Sequence, residues 1–264
     1  MRQTPDTIKH LIIINVIMFL ATQMMPQQME NFFAMHFPLN PQFKVWQLIT
    51  HMFMHGGIMH IAFNMYGLWA FGTPLYHIWG EKKFLIFYFA AGLGAVLLYT
   101  GVQYYSFNQS LNELISQGLS KDQIIQILNS WDYHSNVGIN LHNLISQGLP
   151  KDEIIQIFNS KEYLGDFKNI SSIYHLPALG ASGAIYGLLV AFAFYFPNAE
   201  LMLIFIPYPI KAKYFVPLLV LLDLTFGLTN VIHTPIAHMA HVGGALVGFI
   251  LMKLWQKHDH RRWY

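Results

Sequence analysis

The chain has 264 residues, of which 54% are hydrophobic and only 11% are charged. Soluble domains carry about 25% charged residues, so this composition indicates a membrane protein. The lack of cysteine excludes disulfides and thiolate metal sites, and a scattered formal charge of +2 gives no sign of nucleic-acid binding.

Six stretches are apolar and long enough to cross a bilayer, which takes about 20 mostly apolar residues. Backbone amides in lipid must be hydrogen-bonded within the segment, so each stretch is predicted to be a helix. The first one is too long for the core of a signal peptide, and no cleavable signal peptide is expected. The predicted fold class is therefore all-α, a polytopic membrane protein with a six-helix bundle. The stretches cover residues 8–25, 52–75, 84–105, 178–197, 214–231 and 236–255.

The positive charges are unevenly divided between the two sides of this bundle. If the N-terminus is cytoplasmic, ten Lys and Arg residues lie on that side: Arg2, Lys9, Lys82, Lys83, Lys211, Lys213, Lys253, Lys257, Arg261 and Arg262. Five lie opposite: Lys44, Lys121, Lys151, Lys161 and Lys168. Because Lys and Arg are in excess in cytoplasmic loops, both termini are predicted to be cytoplasmic.

Residues 106–175 form an insert in the predicted membrane domain, which comprises residues 1–105 and 176–264. Within the insert, a 17-residue segment that begins at Leu114 recurs from Leu144. Each copy predicts a short helix ended by glycine and then a second short helix, and Ser120 with Gln123 matches a capping box. We interpret the insert as a helical hairpin domain on the extracytoplasmic face. It is either a lineage-specific decoration or a substrate-recruiting module.

Two polar side chains are predicted at matching depth in parallel helices. Ser182 lies about four residues into the fourth helix and His241 about five residues into the sixth, so both would be roughly 6–8 Å below the outer surface. Glycines beside both residues allow close helix packing. We therefore predict a hydrogen bond between Ser182 and His241, which would give an activated nucleophile and its base.

Other polar residues fit the same chemistry. His60 and Asn64 are spaced i,i+4 and share one face of the second helix. Acyl transfer requires donors that face the developing oxyanion, and we assign this role to Asn64, His60, Gly180 and the Ser182 backbone N–H. Asn64 alternatively serves as a hydrogen-bonding contact between helices. His51 and His55 are expected to hold the preceding loop together or to face interfacial water.

Two residues are candidates for supporting His241. Tyr186 lies one turn below Ser182, where its ring could stack against His241 and fix the imidazole without a carboxylate. Asp223 is the candidate third member of a triad. It lies near the middle of the antiparallel fifth helix, and we expect it to be too deep to reach His241. The predicted arrangement is therefore a Ser–His dyad.

Together these residues resemble the rhomboid family of intramembrane serine proteases. The resemblance covers nearly the whole chain except the insert. It implies a six-helix core, a cofactor-free and metal-free Ser–His dyad, single-pass membrane-protein substrates within the lipid bilayer and location in a bacterial inner membrane. It also implies an amphipathic loop, residues 26–50, lying sideways in the outer leaflet. The motifs are His60-x-x-x-Asn64, Gly180-Ala181-Ser182-Gly183 with Tyr186, and Ala240-His241-Val242-Gly243-Gly244-x-x-x-Gly248.

Three features depart from the family pattern. The usual Trp-Arg pair of the first loop is absent, since Val45-Trp46-Gln47 has no arginine. Tyr76 stands where a glutamate often follows Phe-Gly, and the insert replaces a short connection. None of these removes a catalytic group, so activity is expected.

Two other functions are alternatives. A catalytically inactive rhomboid-like protein could bind and escort membrane proteins, although such relatives usually lack the serine or the histidine. A metalloenzyme would draw on the chain's clustered histidines. The chain lacks a His-Glu-x-x-His motif, and no acidic ligand is expected near these histidines. These histidines are His51, His55, His60, His238 and His241.

Overall fold

The computed structural model describes residues 3–130, 161–203, 206–229 and 237–258. Within these ranges, nine α-helices, one 3₁₀ turn (His51–Phe53) and two strands follow one another. The strands are β1 (Glu200–Leu203) and β2 (Ile206–Lys211). The helices are α1 (Asp6–Met24), α2 (Pro26–Phe33), α3 (Gln47–Thr50), α4 (Ile58–Ser116), α5 (Lys121–Ser130), α6 (Lys161–His175), α7 (Ser182–Tyr195), α8 (Ala212–Thr229) and α9 (His238–His258).

Four helices are long and apolar enough to cross a membrane, judged by length and composition. They are α1, α4, α8 and the segment His238–Trp255 of α9. Helix α7 is also apolar but has only 14 residues. Each of the six predicted stretches is helical over most of its length. The prediction of a polytopic helical membrane protein is therefore confirmed.

Gly80 separates the second and third predicted helices, which both lie within the 59 residues of α4. Its φ of 74° and ψ of 173° are not helical, and a positive φ of this size favours glycine. A Cβ at this position would meet nothing within 4 Å, so the backbone conformation, and not lack of space, calls for glycine. The two helices are thus connected by a turn centred on one residue.

Large apolar side chains are exposed along the helices that could span a membrane. Ile17 and Leu20 of α1 are 59% and 56% exposed, and Leu221 and Leu228 of α8 are 58% and 67% exposed. A soluble protein rarely presents such continuous apolar surface to water. Lipid tails are as apolar as leucine, so this surface is compatible with a bilayer.

The chain divides into two compact units. One comprises Met1–Met35, Lys44–Tyr99 and Ala178–Tyr264, and the other His36–Phe43 and Thr100–Pro177. The second unit is thus larger than the predicted insert, because it includes the segment His36–Phe43 and extends from Thr100 to Pro177.

Contacts of the second unit explain why it includes this early segment. The ring of Phe37 lies against Phe107, with 4.9 Å between centroids. Asn40 Nδ2 donates to the backbone oxygen of Tyr174 at 2.8 Å. Phe107 and Tyr174 are themselves almost completely buried, so the segment covers the core of this unit.

The helical prediction for the insert is partly correct. The predicted capping box is confirmed, since Gln123 N donates to Ser120 Oγ at 3.2 Å and Ser120 N to Gln123 Oε1 at 2.7 Å. Gly118, with φ of +109°, follows the end of α4. The prediction of a separate first helix in the insert is wrong, because α4 continues to Ser116. The second copy of the duplicated segment, residues 144–160, lies outside the described residues.

Strands β1 and β2 form an antiparallel hairpin, with Glu200 opposite Lys211, that the sequence analysis did not predict. The strands have only four and six residues, too few for a reliable alternating pattern. Pro207 and Pro209 also argue against a strand, since proline lacks the N–H that a sheet uses.

Candidate active site

Helices α7 and α9 approach so closely that their glycine backbones are in contact. A Cβ on Gly244 would lie 1.9 Å from the backbone oxygen of Gly183. A Cβ on Gly248 would lie 2.7 Å from the Cα of Gly187. Larger residues would separate the helices, so these glycines set the distance between the side chains that the two helices carry.

At one end of this contact, Ser182 and His241 meet. The distance between His241 Nε2 and Ser182 Oγ is 2.9 Å, within hydrogen-bond range. The structure therefore brings together the two residues that the sequence analysis paired. This geometry matches that of a serine nucleophile and an imidazole base.

The opposite side of the imidazole faces a carboxylate. His241 Nδ1 lies 3.3 Å from Asp223 Oδ1. The prediction that Asp223 is too deep to reach His241 is therefore wrong. Asp223 is in the second half of α8, whose described part ends at Thr229, and α9 begins at His238. The contact itself shows that the carboxylate lies at the level of His241.

Tyr186 contacts both partners of this pair. Its ring is stacked on that of His241, with 4.2 Å between centroids and an angle of 11° between planes, which confirms the predicted stacking. Its hydroxyl donates to Asp223 Oδ2. Tyr186 therefore restrains the plane of the imidazole and the carboxylate beside it.

His238 also contacts the carboxylate and was missed as a site neighbour. Its Nδ1 lies 2.5 Å from Asp223 Oδ1, the same oxygen that faces His241. A sequence signal existed, because the i,i+3 spacing of His238 and His241 places both on one helix face.

Asp223, His238 and His241 could together offer ligand atoms to a metal ion, since these atoms lie within 4.8 Å of one another. The expectation that no acidic ligand lies near the histidines is thus wrong. However, hydrogen bonds to the carboxylate account for the positions of both imidazoles.

Ser182 is the first residue of α7, and the prediction that it lies about four residues inside the helix is wrong. The first four amides of a helix lack an acceptor within that helix. The first backbone hydrogen bond of α7 runs from Ile185 N to Ala181 O, at 3.1 Å. The amides of Ser182 and Gly183 precede this bond. Ala181 offers no side-chain cap. Such a helix start favours negative charge, which suits an oxyanion.

Gly180 contributes in a different way from the predicted one. Its backbone N–H donates to the His51 carbonyl oxygen at 2.9 Å, so this amide is engaged and does not face an oxyanion. Its φ of +121° favours glycine. A Cβ there would lie 2.7 Å from His60 Nε2 and 3.9 Å from Ser182 Oγ. Gly180 therefore leaves space for the His60 imidazole beside the serine.

Asn64 lies one turn beyond His60 on α4. Asn64 is 5% exposed, and its Nδ2 donates to the backbone oxygen of His60 at 3.0 Å. An amide nitrogen has two hydrogens, so this bond leaves one N–H unused, and the oxyanion role of Asn64 stays a prediction.

His51 and His55 precede α4 and lie outside the membrane-spanning helices. Burial lowers the pKa of His51 to about 4, although a hydrogen bond from its Nδ1 to the Gln47 carbonyl oxygen acts in the opposite direction. Burial, with a smaller contribution from the charge of His60, lowers the pKa of His55 to about 3. Both imidazoles are therefore neutral at pH 7. They are buried in protein and do not face interfacial water.

Comparison with known protein families gives a match over most of the chain. A model of the Rhomboid domain matches residues 42–121 and 151–257. The chain belongs to the rhomboid family. Its rhomboid domain therefore contains the residues at the helix contact described above, including Ser182 and His241.

Several curated rhomboid proteins are similar to this chain. Rhomboid protease GluP of Bacillus subtilis is 44% identical over 48 residues, which cover 18% of this chain and 10% of GluP. Rhomboid protease AarA of Providencia stuartii is 23% identical over 78% of this chain and 54% of AarA. An uncharacterized mitochondrial rhomboid protein of Schizosaccharomyces pombe is 26% identical over 80% of this chain and 52% of that protein. The chain thus spans about half, or less, of the length of these relatives.

The first loop of this rhomboid is held by Gln47 and Trp46, at the place where the family pattern has a Trp-Arg pair. Gln47 is fully buried; its Nε2 donates to the Asn31 backbone oxygen at 3.1 Å, and its Oε1 accepts from Lys44 N at 3.1 Å. Trp46 Nε1 donates to the Phe32 backbone oxygen at 2.8 Å. A neutral amide thus links α3 to α2 without an arginine.

Proposed function

We propose that this protein is an intramembrane serine endopeptidase that uses Ser182 and His241 as a catalytic dyad. The observation that supports the proposal most directly is the 2.9 Å contact between Ser182 Oγ and His241 Nε2. Membership of the rhomboid family supports the same reaction class. No metal or cofactor takes part in the proposed reaction.

In the proposed mechanism, Ser182 Oγ attacks the carbonyl carbon of a peptide bond while its proton passes to His241 Nε2. The carbonyl oxygen becomes an oxyanion, which the Ser182 amide, Asn64 Nδ2 and His60 stabilise. His241 then gives the proton to the leaving amine, and an acyl-enzyme remains. Water, deprotonated by His241, hydrolyses this ester and restores the serine.

The proposed substrates are single-pass membrane proteins that are cut near the outer face of the bilayer. A helix has no free backbone carbonyl in its interior, so cleavage requires local unwinding, which small or helix-breaking residues favour. The excess of Lys and Arg on one side supports cytoplasmic termini, and we place the protein in a bacterial inner membrane. The insert, residues 106–175, would then be extracytoplasmic.

Replacement of Ser182 by alanine tests this proposal. We expect cleavage of a single-pass substrate in reconstituted vesicles to be abolished, because alanine has no nucleophile. Ser116→Ala is the matched control, since that exposed hydroxyl bonds Glu113 O of its own helix and should leave cleavage unchanged. Cleavage that persists in Ser182→Ala would contradict the proposal. A protein that binds the substrate but never cleaves it would instead indicate the inactive, escorting function.

A further inference from the structure

We infer that Asp223 is a positioning residue that holds His241 in the tautomer that a general base requires. The inference rests on the proposed function and adds a third residue to the dyad. It starts from the contact between Asp223 Oδ1 and His241 Nδ1, at 3.3 Å.

The chemistry of the two groups determines where the proton lies. A carboxylate accepts hydrogen bonds and does not donate them, so this contact requires a hydrogen on Nδ1. The neutral imidazole then has its lone pair on Nε2, the atom that lies 2.9 Å from Ser182 Oγ. When His241 takes the serine proton it becomes a cation, and the adjacent carboxylate stabilises that cation.

The surroundings of Asp223 fix the carboxylate in this orientation. Asp223 is only 6% exposed, so water competes little for its oxygens. The Tyr186 hydroxyl donates to Oδ2 while the Tyr186 ring stacks on His241. One side chain thus restrains both partners of the contact, which leaves Oδ1 directed towards α9.

His238 provides the competing explanation. It lies closer to Asp223 Oδ1, at 2.5 Å, than His241 does. Asp223 could therefore serve only to link α8 to α9 through His238. The two roles make opposite predictions. A structural link would make His238 as important as Asp223, whereas positioning of His241 makes the loss of Asp223 much more damaging than the loss of His238.

The experiment compares Asp223→Asn with His238→Phe in the full-length chain in proteoliposomes. Phenylalanine keeps a ring against Phe226, whose centroid is 5.5 Å from that of His238. We expect Asp223→Asn to lower kcat by at least about tenfold with little change in KM, because the imidazole loses its orienting acceptor. The rate at which a fluorophosphonate labels Ser182 should fall by a similar factor. His238→Phe removes only one hydrogen bond to the carboxylate, so it should lower both rates by about threefold, clearly less than Asp223→Asn does.

Each other outcome overturns the inference in a recognisable way. Equal losses in the two variants would mean a structural link. An unchanged kcat in Asp223→Asn, with Ser182→Ala inactive, would reject the role of Asp223 and leave the proposed function intact. Cleavage by Ser182→Ala would reject the proposed function itself.

If Asp223→Asn does not fold, Tyr186→Phe replaces it. This variant keeps the ring stack and removes only the hydroxyl that restrains Asp223. We expect its kcat to fall by about threefold, because one hydrogen bond to the carboxylate is lost. An unchanged kcat would overturn the inference.

Discussion

Replacing His241 by alanine should lower kcat by at least about a thousandfold, because Ser182 would lose the base that accepts its proton. Among the residues that the structure describes, His241 lies within hydrogen-bond distance of Ser182 Oγ, at 2.9 Å. The measurement is the initial rate of substrate cleavage in proteoliposomes at saturating substrate, with protein folding monitored by thermal denaturation.

The double variant Ser182→Ala/His241→Ala makes this prediction sharper. If the two residues act as one unit, the double variant should be no slower than either single variant. Losses that multiply would show that they act independently, which would contradict the dyad. His77→Ala, in α4 and away from these contacts, is the control for loss of an imidazole.

The second large effect is expected at the contact between α7 and α9. Gly244→Ala would place a Cβ 1.9 Å from the backbone oxygen of Gly183, the residue next to Ser182. A backbone atom cannot move aside as a side chain does, so the helices must separate. We expect the free energy of unfolding to fall by roughly 1–3 kcal/mol, a typical cost of overpacking. Cleavage should also be lost, because Ser182 and His241 move apart.

Gly101→Ala is the matched control for this glycine. It lies in α4 and its Cβ would meet nothing within 4 Å. We expect the melting temperature and activity to stay at or slightly above wild type, because alanine favours helix more than glycine does. If Gly244→Ala and Gly101→Ala behave alike, close packing of α7 on α9 does not determine the distance between Ser182 and His241.

The sequence was sufficient to pair Ser182 with His241, because helix counting and a rise of about 1.5 Å per residue estimate depth well enough. It misplaced the start of α7, since the apolar run begins before Gly180, whose positive φ keeps that residue out of the helix. Because of that error, the sequence analysis did not predict that the helix begins at the serine. The start of a helix stabilises an oxyanion better than the interior of a helix does.

Asp223 illustrates a limit of the same reasoning. Helix counting gave it a position near the middle of an antiparallel helix, and an error of one turn, about 5.4 Å, decides whether it reaches His241. The hairpin of β1 and β2 was missed for a different reason, since short strands with prolines leave no alternating pattern. Gln47 was noted as a departure, but its role as a buried anchor depends on contacts that only the fold brings together.

In the proposed mechanism, His241 activates Ser182 as a nucleophile. The most direct measurement is mass spectrometry of the protein after exposure to a fluorophosphonate, which reacts with activated serines. We predict a single adduct on Ser182 in the wild type and no adduct on this residue in His241→Ala. An adduct that forms at the same rate without His241, or an active wild-type enzyme with no adduct on Ser182, would contradict this mechanism.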